Sequence, residues 1–190
     1  MSSHAEEKAR PVPSIEALRT QLAQHQRGAQ RLRQPVAIIG PGDGDAEVCA
    51  AARRVAGELA RAGLQIVCGG RGGVMAAASQ GAAEAGGVAI GILPEEDLRA
   101  ANPYVTVGIA TGMGEMRNAV IARSAVCLIA IGGGMGTVSE MALGLKWNKR
   151  VFTWRPELAL PGATDCDSVD ALLHVVLAWL LAQAQAAVTA

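Results

Sequence analysis

Three glycine-rich turns hold the residues whose types and spacing could do chemistry: Gly40-Pro-Gly-Asp-Gly-Asp45, Gly69-Gly-Arg-Gly-Gly73 and Gly132-Gly-Gly-Met-Gly-Thr137. Each follows a short aliphatic run and precedes a helical pattern. In such a place glycine lets the main chain approach a ligand, and the free N–H groups of the next helix offer donors and partial positive charge to an anion. The residues set for that contact are Gly40 and Gly42 in the first turn, Gly70, Arg71 and Gly72 in the second, and Gly133, Gly134, Met135, Gly136 and Thr137 in the third. Taken singly, each turn reads as well as an ordinary strand-to-helix connection. Emergence of all three at one edge of a parallel sheet is what would make them a site.

Two charged pieces sit beside these turns. Thr137-Val-Ser-Glu140 fits the S/T-x-x-E capping box, a structural reading favoured by spacing alone. A glutamate there also lies at the mouth of the presumed anion site, where it could steady a cationic sugar carbon or position a water. Gly112-Met-Gly-Glu-Met-Arg-Asn118 opens a helix that carries Arg117 and Arg123. Arg117 reads as a partner of Glu115 or Glu140, or as a ligand contact, and Arg123 as a snorkelling helix residue or a ligand contact. Were the fourth and fifth strands neighbours, Arg117 would reach the space in front of Glu140. Arg71 reads equally as an exposed loop residue or a ligand contact.

Better-known phosphate motifs are absent from these turns. None has the G-x-G-x-x-G spacing of a dinucleotide fold, and Gly136 runs into Thr137 without the lysine a P-loop places at the β and γ phosphates. A monophosphate-sized anion held by backbone amides is what remains. The chain is formally neutral, with Lys+Arg 17 against Asp+Glu 17, so no net field gathers nucleic acid. Arginine outnumbers lysine heavily among those cations, a bias toward the planar fork that grips phosphate or carboxylate. Cys49, Cys68, Cys127 and Cys166 are scattered, and the three histidines, at 4, 25 and 174, have no ligand spacing, so no metal site is expected. The acidic, proline-bearing leader and the lack of an uninterrupted apolar run of about 18 residues predict neither signal peptide nor membrane span. A cytoplasmic protein follows from these readings.

The elements that must position these residues can be read from periodicity. Residues 1–13 form a loose leader, and Ser14 can cap a helix with Ile15, Leu18, Leu22 and Leu32 as a thin apolar stripe. That N-terminal part, 1–34, is an appendage that could dock on the domain or on a second subunit. From 35 to 190, aliphatic runs at 36–39, 64–68, 88–92, 105–109, 126–131 and 151–154 alternate with helical stretches at about 46–62, 74–86, 114–124 and 137–146, and a last one after Asp167. Continuous apolar runs fit strands covered on both faces. The fold predicted is α/β, a three-layer Rossmann-like sandwich with a mainly parallel sheet. With 190 residues the chain suits one such domain.

From about Pro35 to Trp154 the sequence resembles the Lonely-guy superfamily of Rossmann-like proteins. Its phosphoribohydrolases carry P-G-G-x-G-T-x-x-E preceded by M-H-x-R-K. The first motif is matched here by Gly132-Gly-Gly-Met-Gly-Thr-Val-Ser-Glu140 and the arginine of the second by Arg117, with Arg123 also on a matching position. Gly132 stands for the motif proline, Gly114-Glu115 for Met-His and Asn118 for the lysine. The match implies Arg117 and Glu140 as the essential pair for cleaving the N-glycosidic bond of a nucleoside 5′-monophosphate, with the glycine loop and Thr137 on the phosphate. The chain is more similar to a sister branch in which G-G-G-x-G-T-x-S-E, G-E-x-R-N and G-G-R-G-G-V-M occur together and which includes molybdenum cofactor carrier proteins. That likeness implies binding of a pterin monophosphate without turnover, no required cofactor beyond a bound molybdenum cofactor or nucleotide as ligand, and a homo-oligomer.

Overall fold

A computed structural model describes residues 12–186. The leader expected over residues 1–13 falls, up to residue 11, outside the described part. The chain begins with α1 (Ile15–Gln26), capped by Ser14, whose side chain accepts from the Ala17 amide. It then alternates β1 (Val36–Ile39), α2 (Ala46–Arg61), β2 (Ile66–Cys68), α3 (Val74–Glu84) and β3 (Ala89–Leu93). A long loop leads to β4 (Val107–Ala110), and a single 3-10 turn at Gly114–Met116 opens α4 (Arg117–Ser124). The chain ends with β5 (Cys127–Ile131), α5 (Met135–Lys146), β6 (Arg150–Trp154), β7 (Thr164–Asp165) and α6 (Val169–Ala186).

All pairings are parallel, and the strand order is β4-β3-β2-β1-β5-β6-β7. Alternate strand residues supply two separate cores, as a pleated sheet covered on both sides requires. Val36, Ile38, Ile66, Ile129 and Phe152 pack beneath α1, α2, α3 and α6. Ala37, Ile39, Val67, Leu128 and Val151 face the other way, toward Ile121 of α4 and Met141 of α5. The result is the three-layer Rossmann-like sandwich the pattern predicts.

Four details refine or correct the sequence reading. α1 stops at Gln26, so Leu32 lies beyond the helix; the buried Gln26 amide ends it by accepting from the Leu32 N–H at 2.8 Å and donating to the Leu32 carbonyl at 3.1 Å. α1 docks on its own domain, with Leu18 and Leu22 buried in the core that contains the strands. α6 is an 18-residue helix of mean hydropathy 1.4, long and apolar enough to cross a membrane, yet Leu172, Leu173, Val176, Leu177 and Leu180 face the protein core. Finally, β4 and β5 are not neighbours: β4 is an edge strand, and β3, β2 and β1 lie between the two.

Candidate functional site

The strand order reverses between β1 and β5, since the chain runs outward on one side through β2 to β4 and on the other through β6 to β7. A crevice opens at the carboxyl ends of strands at such a point because neighbouring connections leave in opposite directions. The three glycine turns leave the adjacent strands β2, β1 and β5, so they surround this crevice together. It is a cleft of about 430 Å³, within the range that holds small ligands.

Gly40, Gly42, Arg71, Gly133, Gly134, Gly136, Thr137, Arg117 and Glu140 all line it. The turns fit one another closely enough to demand glycine. A Cβ on Gly40 would overlap the Ile131 carbonyl oxygen and the Val74 side chain, and one on Gly73 would strike the Pro41 carbonyl. The remaining candidates are elsewhere. Gly70 is committed within the fold: its N–H donates to Cys68 Sγ at 3.4 Å, and its carbonyl accepts from the Asn102 N–H and Nδ2. Gly72 and Met135 do not line the cleft, and Met135 is largely exposed at a neighbouring apolar groove. Arg123 lies six residues further along α4, about 9 Å from Arg117. Its guanidinium stands over the Trp147 ring, 5.2 Å from the centroid.

The helix starts differ in how they are capped. Ser14 caps α1, and Asp45 caps α2 by accepting from the Val48 N–H at 2.8 Å. α3 and α5 start after Gly73 and Gly134, with no side-chain cap. The first amide of α3, at Val74, donates to the Pro41 carbonyl at 3.0 Å, whereas the first amides of α5 are open to an anion, and the dipoles of both helices add partial positive charge. α5 begins at Met135, two residues earlier than the spacing predicts, so Thr137 is inside the first turn and does not act as the cap. The capping box is not formed. Glu140 is left free to point at α4.

There it meets Arg117, with Nη1 3.5 Å from Glu140 Oε1, and both side chains are 8% exposed. The pair forms although β4 and β5 are far apart, because the connection after β4 recrosses the carboxyl edge and α4 packs beside α5. Arg117 Nη1 also donates to Asn118 Oδ1 at 2.8 Å; Asn118 Nδ2 donates to Ser139 Oγ, which donates to the Gly136 carbonyl. This chain of bonds ties the arginine to the first turn of α5. The guanidinium lies on bare backbone at Gly69, where a Cβ would be 2.5 Å from Nη2. Arg117 Nε is buried with no hydrogen-bond partner. Burial pushes the Glu140 carboxyl up to about 8; Arg117 pulls it down less strongly, and Glu115 adds a smaller upward push.

Sequence reasoning missed Glu157, which lines the cleft from the loop after β6 and fills the space over Gly133, and the bridging role of Asn118. Nothing local marks Glu157; β6 brings it there by pairing with β5. Among the described residues, no three histidine, cysteine or acidic side chains come together to hold a metal.

A family model described as the SLOG cluster4 family matches residues 33–175. The chain is similar to the molybdenum cofactor binding protein of Rippkaea orientalis, with 31% identity, a TM-score of 0.73 and coverage of 78% of this chain and 99% of that one. It is also similar to the molybdenum cofactor carrier protein of Chlamydomonas reinhardtii, at 32% identity and TM-score 0.69, over 79% of this chain and 99% of that one. A cytokinin riboside 5′-monophosphate phosphoribohydrolase of Arabidopsis thaliana is 33% identical over 121 residues, 62% of this chain and 53% of the plant protein. The match thus spans about half of that relative.

Proposed function

From the premise that this chain belongs to the SLOG cluster4 family, we propose that it binds a phosphorylated small molecule, a nucleotide or pterin monophosphate, in the manner of a molybdenum cofactor carrier protein. One observation carries the reading: two helix N-termini without side-chain caps, those of α3 and α5, open on a single cleft at the strand-order reversal. The phosphate sits against the amides of Gly134 to Thr137, and the rest of the ligand extends toward Arg117, whose Nε is the buried donor left without a partner. A neutral, buried Glu140 can donate a hydrogen bond to a ligand oxygen or ring nitrogen. Four free thiols fit a reducing, cytoplasmic setting. The exposed Met116 and Met135 beside the cleft fit a contact between copies in a homo-oligomer.

The Arg117–Glu140 pair favours a second reading, a phosphoribohydrolase acting on nucleoside 5′-monophosphates. In that reaction Arg117 orients the ligand and Glu140 serves the sugar carbon, while the glycine turn holds the phosphate. Incubation of the pure protein with AMP and related monophosphates, with assay of ribose 5-phosphate, separates the two. The carrier reading expects no release. Release that disappears in Glu140→Gln would overturn it, and failure to retain pterin after direct loading with molybdenum cofactor would count equally against it.

A further inference from the structure

The edge of the sheet opposite the cleft carries a concentration of charge that the fold does not use. Almost every described arginine has an internal partner: it lies within 4.0 Å of a carboxylate or over an aromatic ring. The exceptions are Arg27, Arg31 and Arg33. All three are exposed and fall within seven residues, on the segment between α1 and β1. No acidic residue occurs between Glu16 and Asp43 to offset them. In a formally neutral chain, three neighbouring arginines left without counter-charge repel one another unless an anion joins them.

This segment is held in a definite shape. Gln26 is buried, and its side chain bonds both the N–H and the carbonyl of Leu32 while reaching the Gly63 carbonyl at 3.5 Å. Leu32 itself packs against the main core. The backbone between the arginines is thus anchored on both sides, and their guanidinium groups project from a fixed platform. Arg31 and Arg33 line a cleft of about 530 Å³ together with Gln26, Gln34, Gly63 and Gln65. Arg27 lines a second one with Arg19 and Arg61, both of which pair with Glu58. Both clefts lie before the starts of β1 and β2, a full strand length from the glycine turns.

We propose that this platform is a second anion site, which takes a multiply charged phosphate chain such as inorganic tripolyphosphate or the triphosphate of a nucleotide. A single phosphate does not need three arginines, whereas a chain of several spans them and accepts paired hydrogen bonds from each planar fork. The glutamine amides at 34 and 65 supply neutral donors beside the charges. The cleft is sized for a small molecule, which sets this site apart from the open electropositive face that a nucleic acid would require.

The test is titration calorimetry with inorganic tripolyphosphate at physiological salt. It uses the full chain, the Arg31→Gln/Arg33→Gln double variant, and a Thr137→Val variant that alters the glycine-turn cleft. The double variant should weaken tripolyphosphate binding at least tenfold and Thr137→Val should leave it unchanged. Because the two replaced side chains are exposed and unpartnered, the melting temperature of the double variant should match the parent and so exclude a folding defect. A parallel arm with ATP tells a free chain from a nucleotide-borne one. Equal affinity in parent and double variant, loss confined to Thr137→Val, absence of binding, or tight binding of a long oligonucleotide in place of tripolyphosphate would each overturn the proposal. None of these outcomes depends on whether the glycine-turn cleft binds a monophosphate.

Discussion

Replacing Arg117 by methionine removes the opposite charge beside Glu140 while keeping most of the side-chain volume. In the parent, burial holds the Glu140 carboxyl up to about 8 against an ordinary value of 4.5. The folded state therefore binds this proton more tightly than the unfolded state does. The stabilisation is complete below pH 4.5 and declines as pH rises, by about 1.4 kcal/mol per unit, until the group ionises near pH 8. Without Arg117 the folded value moves higher still, so the decline continues past pH 8 in the variant after it has levelled off in the parent. At pH 6 both proteins hold a neutral Glu140, and the variant loses packing, the bond to Asn118 and the long bond to Glu140, about 1–2 kcal/mol. At pH 9.5 the difference should have grown by roughly 2 kcal/mol. Urea denaturation of both proteins at pH 6, 7.5 and 9.5 measures this, with Glu140→Gln as a control that flattens the pH dependence. A constant difference across the range, or a loss of about 3–5 kcal/mol already present at pH 6, would show an ionised native pair and refute the reasoning.

Other substitutions probe the rest of the framework. Gly133→Ala puts a Cβ onto the Glu157 backbone and should cost about 1–3 kcal/mol in chemical denaturation, together with monophosphate binding measured by calorimetry. Gly69→Ala first meets the Arg117 guanidinium and the Met75 sulfur, side chains and not backbone, so affinity should fall with a smaller change in stability. Leu22→Ala should cost about 2–5 kcal/mol in one cooperative transition if α1 belongs to the main core, whereas a separate early transition would mark it as an appendage. Met116→Glu combined with Met135→Glu should shift the sedimentation profile toward monomer without changing the circular dichroism spectrum.

The sequence made the six longer strands and the three glycine turns legible because both signals are local: aliphatic runs bounded by residues that permit tight turns. β7 escaped notice because two residues, Thr164 and Asp165, carry no periodicity and join the sheet only by pairing at the edge beside β6. The meeting of Arg117 and Glu140 was expected from adjacent strands and arises from adjacent helices. Strand order is a non-local property that the spacing of βα units leaves open. Glu157 is a case of the same kind, since strand order alone brings its loop over Gly133. The start of α5 shows the opposite difficulty. Thr137 and Glu140 match a capping pattern, yet the helix begins at Met135, just after Gly134, whose φ of 147° is open to glycine and strained for other residues.

Two of the helices that begin without side-chain caps belong to different layers, α3 above the sheet and α5 beneath it. An anion gripped by both sets of amides would act as a rivet through the lip of the sandwich. Slower hydrogen exchange on ligand addition would then reach the α2–α3 surface as well as the α4–α5 surface, so that each outer face reports occupancy of a cleft it does not contain.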